Sequence, residues 1–156
     1  MKRFMMLGGF HGVIAMGIYR TGNFIYYHLH IPVIKQMLYA IYCIMDYIIL
    51  RTLLNCEIPA KCKIGKNLYL PHGAKGVIID RNVVIGNNVT ILHQVTLGIS
   101  FGKEGAPTIE DGVFIGAGAK VIGKIKIGKN AKIGANAVIV KDLADNAKAY
   151  VKSTIV

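Results

Sequence analysis

Residues 70–79 read LPHGAKGVII. His72 follows a proline and precedes Gly73 and Gly76, at a point where an otherwise regular pattern breaks. Imidazole changes charge near neutral pH and can move a proton there. His72 is therefore either a catalytic base or a polar residue capping a turn. His93, in TILHQVTLG, is the other histidine of the same half of the chain. His11, His28 and His30 fall in an earlier apolar stretch and read as packing or surface residues. Cys43, Cys56 and Cys62 make no CxxC or other metal-ligand spacing. An odd number without a framework reads as free structural thiols in a reducing compartment, and no metal site is legible.

The elements that must position these residues change character near residue 57. From Ile79 the chain repeats every six residues: Ile79, Ile85, Ile91 and Leu97, then Ile109, Ile115, Val121, Ile127, Ile133 and Ile139. A second series runs two residues earlier, through Val83, Val89 and Val95 to Val113, Ala119, Ile125, Ala131 and Ala137. Ile58, Ile64 and Leu70 keep the same spacing upstream. A hexad fits neither an α-helix nor a hairpin sheet. It fits a solenoid with three short faces per coil, one hexad per face, each aliphatic pointing into a continuous core. The expectation is an all-β parallel β-helix over 57–156, with about five coils between Ile58 and Val151. The pattern lapses twice: nine residues separate Leu70 from Ile79, and ISFGKEGAPT lies between Leu97 and Ile109. The second reads as a loop pushed out of a coil. Local rules tend to fail where function is housed, so both are expected near one site.

Residues 1–56 form a different segment. Helices are expected over about 10–29 and 33–54, with Pro32 in the first turn of the second. Val33, Met37, Ile41, Ile44, Ile48 and Leu53 recur at helical spacing, and Asp46 and Arg51 penalise a transmembrane span. The second helix either packs on its own domain or a neighbouring subunit, or lies in a membrane interface helped by Lys2, Arg3, Arg20 and Lys35. The basic, apolar N-terminus looks at first like a signal peptide, yet no convincing cleavage site follows. Lysine and arginine number 19 against 8 acids, a net charge of +11. That favours an anionic partner: nucleic acid, a phosphorylated cofactor or a membrane surface. The charge is spread through repeats without an aromatic platform, which argues against nucleic acid.

The runs PHGAKGVIIDRNVVIGNNVTILHQVTLG and PTIEDGVFIGAGAKVIGKIKIGKNAKIGANAVIVKD resemble serine acetyltransferases and related O-acetyltransferases of bacterial polysaccharide clusters, over about 57–142. The resemblance implies a left-handed helix, a homotrimer with active sites between neighbouring prisms, and acetyl-CoA as cosubstrate without a metal. It also implies a histidine base assisted by a carboxylate, which match His72 in LPHGAKG and Glu57 in CEIPAKCKIG. His93 is expected either to line the substrate or CoA groove or to make a structural hydrogen bond. Gly98, Ala117, Gly118 and Ala135 match groove positions, and Lys120, Lys132 and Lys141 are placed to meet phosphates or to form a solvated face. A backbone N–H of a neighbouring turn would serve the oxyanion.

The departures concern the acceptor. The serine enzymes carry Asp before the base histidine, where Pro71 stands here, and an Arg-His-Pro segment where this chain has Gly105-Ala106-Pro107. An α-carboxylate favours a bidentate arginine and an α-ammonium favours a carboxylate. The expectation is therefore a sugar hydroxyl on a polysaccharide precursor. Serine acetylation is the alternative, and a non-catalytic trimeric scaffold is the second. A cytoplasmic location is expected, either free or in peripheral contact with the inner membrane face.

Overall fold

The computed structural model describes residues 9–102 and 104–151; Lys2 and Arg3 lie outside them. Twelve short strands follow the helical region. They are β1 (Lys63–Ile64), β2 (Ile78–Ile79), β3 (Val84–Ile85), β4 (Thr90–Ile91), β5 (Thr96–Gly98) and β6 (Thr108–Ile109). Then come β7 (Phe114–Ile115), β8 (Lys120–Ile122), β9 (Lys126–Ile127), β10 (Lys132–Ile133), β11 (Val138–Ile139) and β12 (Lys148–Ala149). They form three parallel sheets, ordered β1-β3-β6-β9, β12-β10-β7-β4 and β11-β8-β5-β2. Each sheet takes every third strand, so the chain winds around three faces. Isolated bridges Glu57↔Ile78, Tyr69↔Thr90 and Ile127↔Leu143 add a fifth level to each face.

Register explains both lapses of the hexad. Ile133 pairs with Ile115, and Ile139 with Val121, eighteen residues apart, which is one plain coil. Ile85 pairs with Ile64 across twenty-one residues, because the stretch with His72 adds three. Ile109 pairs with Ile85, and Ile115 with Ile91, across twenty-four, because the loop after Ile99 adds six. Both insertions leave the strand ladder in step, since each enters at a corner.

The repeating aliphatics form the core. Ile79, Ile91, Leu97, Ile115, Val121, Ile127 and Ile133 are fully buried, as are Val89, Val95 and Val113 of the second series. On two of the three faces the third residue after the inward aliphatic turns the corner in the left-handed conformation: Asn88, Gln94, Asn130 and Asn136 at φ 55 to 58°, and Gly112 and Gly118 at 72° and 71°. Asparagine and glycine tolerate that region where other residues are strained. Gly116 is constrained by close approach instead: a Cβ there would lie 2.6 Å from the Ala135 nitrogen in the next coil.

Helix α1 (Gly9–His28) lies along the first coil. An unpaired coil edge is a template for unwanted strand pairing, and α1 covers it with side-chain donors. The Tyr19 hydroxyl donates to the Cys62 carbonyl at 2.8 Å and accepts from the Ile64 N–H at 3.1 Å. Asn23 donates to Ala60 and Cys62, and Arg20 to Ile64 and Gly65. Helix α2 (Pro32–Met45) begins with its proline in the first turn and packs on α1 through Tyr42. The expected helix over 33–54 changes pitch at Asp46. Asp46–Leu53 is π-helical, because a wider turn aligns residues five apart. Arg51 Nε donates to Asp46 at 2.9 Å, and the Thr52 hydroxyl to the Tyr47 carbonyl at 2.9 Å. π-Helical turns often mark functional regions.

Candidate active site

The three-residue insertion forms a tight left-handed turn, Pro71–Ala74, at the corner between β12-β10-β7-β4 and β11-β8-β5-β2. His72 sits in it at φ 68°. A non-glycine residue in the left-handed region costs about 1–3 kcal/mol and persists only where its surroundings impose it. Pro71 fixes one side of the turn. On the other, Gly73 is also left-handed, and a Cβ there would lie 2.6 Å from the His11 Cβ. Helix α1 therefore presses on the turn from outside while Gly73 donates to the Leu70 carbonyl from within.

Tyr69 is level with Thr90 on one face, which brings His72 beside His93 one coil up. Their rings meet edge to face with centroids 5.0 Å apart. The two imidazoles open into a cleft of about 550 Å³, lined also by Phe10, His11, Asn55, Lys75 and Gln94. His93 Nδ1 is buried and has no hydrogen-bond partner among the described residues. That orphaned atom is available to a ligand polar group, or to a water.

Glu57 is placed differently. Its carboxylate accepts from Arg51 at 3.1 Å, and Arg51 is held in turn by Asp46. Glu57 lines a second, smaller cleft with Arg51, Cys56 and Ile78. The two clefts share Asn55, so Glu57 and His72 flank the same corner. No hydrogen bond joins them among the described residues.

The groove positions fall on two corners. His93, Ala117 and Ala135 each stand two residues after a paired inward isoleucine, so they stack in one column above His72. Asn136 N–H donates to the Ala117 carbonyl, and Gly118 N–H to the His93 carbonyl, along that column. Gly118 has a backbone reason of its own: it is left-handed, and a Cβ would lie 2.1 Å from Asn136 Oδ1. Lys120 begins the adjoining face, and its Nζ donates to the Gln94 carbonyl at 2.7 Å. Gly98 ends β5 on the far side of that face, and Lys141 follows β11 at the same far corner. Lys132 points outward from the β12-β10-β7-β4 sheet. The groove positions and lysines thus divide, Ala117, Gly118, Ala135 and Lys120 at the corner beside His72, Gly98 and Lys141 at the corner beside the six-residue loop, and Lys132 on an outer face.

Sequence reasoning missed His11, Asn55 and Lys75 as cleft residues. Asn55 alone carried a signal, an asparagine before a change of pattern; His11 comes from a helix sixty-one residues away. Burial pushes the thiols of Cys56 and Cys62 up to about 12, while Cys43 is exposed.

Two family models match the chain: "Bacterial transferase hexapeptide (six repeats)" over residues 106–141, and "Hexapeptide repeat of succinyl-transferase" over 58–93. The chain is 46% identical over 99 residues to a serine acetyltransferase of Mycobacterium tuberculosis, covering 62% of this chain and 43% of that protein. It is 45% identical over 101 residues to one of Helicobacter pylori, covering 64% and 58%. Among solved structures, serine acetyltransferase isoform 3 of Entamoeba histolytica in complex with cysteine superposes with a TM-score of 0.78 at 32% identity, covering 95% of this chain and 50% of that one. The serine acetyltransferase of Brucella abortus in complex with coenzyme A gives 0.79 at 30% identity, covering 92% and 54%. The fold is thus a left-handed parallel β-helix of hexapeptide repeats. The chain is similar in sequence and fold to serine acetyltransferases and carries two stretches matching hexapeptide-repeat models, and it spans about half the length of the relatives it matches.

Proposed function

We propose that this chain transfers an acetyl group from acetyl-CoA to a hydroxyl, with His72 as the general base. The observation that carries the reading is His72 itself, held in a strained left-handed turn beside His93 at the mouth of a cleft. A merely structural corner would favour asparagine or glycine, as Asn88, Gly112, Gly118, Asn130 and Asn136 do at other corners. The serine acetyltransferase relatives and the coenzyme A bound by one solved neighbour supply the class of reaction.

An alcohol is a poor nucleophile at neutral pH. Neutral His72 takes its proton as the oxygen attacks the thioester carbonyl carbon, a contribution of about 10²–10⁴-fold. A carbon–oxygen bond forms, and the carbonyl oxygen becomes an oxyanion. Collapse breaks the carbon–sulfur bond, and His72 returns the proton to the departing CoA thiolate. Glu57 assists as the carboxylate of this pair by turning from Arg51 across Asn55 toward the imidazolium. CoA would lie along the His93–Ala117–Ala135 column, where small side chains let its pantetheine approach the backbone, with Lys120 beside it. Neighbouring prisms of a homotrimer complete the groove.

The names of the relatives favour L-serine as acceptor. One observation favours a sugar hydroxyl instead: no carboxylate lines the His72 cleft among the described residues to meet an amino acid's α-ammonium, and its α-carboxylate would meet only the point charge of Lys75, with no arginine to grip it bidentately. The test is release of free CoA from acetyl-CoA with L-serine and then with mono- and oligosaccharides. Serine-dependent release selects the first acceptor and sugar-dependent release the second. No release with any acceptor would overturn the enzymatic reading in favour of a scaffold.

A further inference from the structure

Acetyl transfer builds negative charge on the thioester carbonyl oxygen, and that charge is best met by a donor already held in place. His93 is held in this way. Its carbonyl accepts from the Gly118 N–H at 3.0 Å, and the next residue, Gln94, donates its N–H to the Lys75 carbonyl at 2.8 Å. Its ring lines the His72 cleft, edge to face with His72 at a centroid distance of 5.0 Å. A hydrogen bond spans about 3 Å, so rings at this spacing leave room for the acceptor oxygen on one and the carbonyl oxygen on the other.

The two ring nitrogens of His93 differ. Nδ1 is buried and has no partner among the described residues. A buried N–H left without an acceptor is rare, and a bare acceptor is better tolerated. The neutral ring therefore carries its proton on Nε2, the nitrogen on the cleft side. The same asymmetry makes His93 a poor base, since a second proton would have to sit on Nδ1 with nothing to receive it. His72 is exposed on its turn, where water can serve whichever nitrogen the substrate does not. The two imidazoles can thus divide the work, one moving a proton and the other holding one.

We infer that the Nε2–H of His93 donates to the thioester carbonyl oxygen as it becomes the oxyanion, while His72 takes the hydroxyl proton. The inference rests on the acetyl-transfer reading. The proton stays on Nε2 throughout; its hydrogen bond strengthens as charge builds on oxygen and relaxes when the carbon–sulfur bond breaks. A side chain then fills the place expected of a backbone N–H. The wild type, His93→Gln, His93→Asn and His93→Ala are compared by CoA release from acetyl-CoA, with L-serine and with mono- and oligosaccharides. A glutamine amide can put an N–H where Nε2 stands, whereas the shorter asparagine amide reaches only the Nδ1 position. His93→Asn and His93→Ala should lose about 10²–10³-fold in kcat with the KM for acetyl-CoA nearly unchanged, and His93→Gln should recover most of that loss. Equal losses in the Gln and Asn variants, or a loss confined to KM, would overturn the donor role. Long-range proton–nitrogen correlation spectra of the wild-type chain read the tautomer without any variant or turnover. They should place the His93 proton on Nε2, and a proton on Nδ1 would overturn the inference. Wild-type release that survives His93→Asn would overturn this inference alone. No wild-type release with any acceptor would overturn the acetyl-transfer reading and the inference with it.

Discussion

At the residue scale, His72 pairs a chemical role with a conformational cost. His72→Asn should keep the left-handed turn, since asparagine serves at the neighbouring corners. It should lower kcat by about 10²–10⁴-fold with little change in melting temperature. A variant with a near-wild-type rate would remove His72 from the proton-transfer role. Glu57→Gln tests the exchange of Arg51 for His72. The expected result is a smaller loss in kcat and a displaced acid limb of the pH–rate profile; an unchanged profile leaves Glu57 as the partner of Arg51 alone. The thiols make a separate prediction. Cys56 and Cys62 are pushed up to about 12 by burial, whereas an unfolded thiol titrates near 8.5. Burial thus favours the neutral thiols, so their contribution is complete below the unfolded value. It is lost as pH rises from about 8.5 toward about 12. Alkaline melting curves should show the decline, Cys62→Ala should flatten part of it, and a thiol reagent should titrate only Cys43 of the three in the folded chain.

At the scale of elements, insertions and ladder are separable. The six-residue loop enters at a corner, and Leu97 and Ile109 on either side keep their pairing with Val121 and Ile127. Excising 100–105 restores the hexad between them. The shortened chain should keep its circular-dichroism spectrum and melt within a few degrees of wild type. It should lose activity, because the loop borders the corner of Gly98 and Lys141. Loss of cooperative melting would show that the loop supports the fold. Inward positions behave oppositely: Ile115→Ala, in a fully buried site, should cost about 2–5 kcal/mol, measurable by denaturant unfolding. The loop and the inward series were both legible in the sequence, because a period of six and its interruption are one-dimensional facts. The left-handed asparagine corners were not singled out, although Asn88, Asn130 and Asn136 lie three residues after an isoleucine. Their signal was present but secondary to the aliphatic one.

At the scale of the molecule, one chain supplies only one wall of each proposed groove. Sedimentation equilibrium should give three times the chain mass, and a monomer active at full rate would contradict a site between prisms. The sequence by itself determined the three-sided coil, its core and the turn that holds His72. Each follows from neighbours in the chain, where side-chain size and spacing act locally. Only the tertiary structure decided which residues meet. Stacking set His93 against His72, helix packing brought His11 and Phe10 to the cleft, and the π-helical turn gave Glu57 to Arg51. Those contacts depend on how coils and helices dock in space, which the spacing of residues along the chain does not specify.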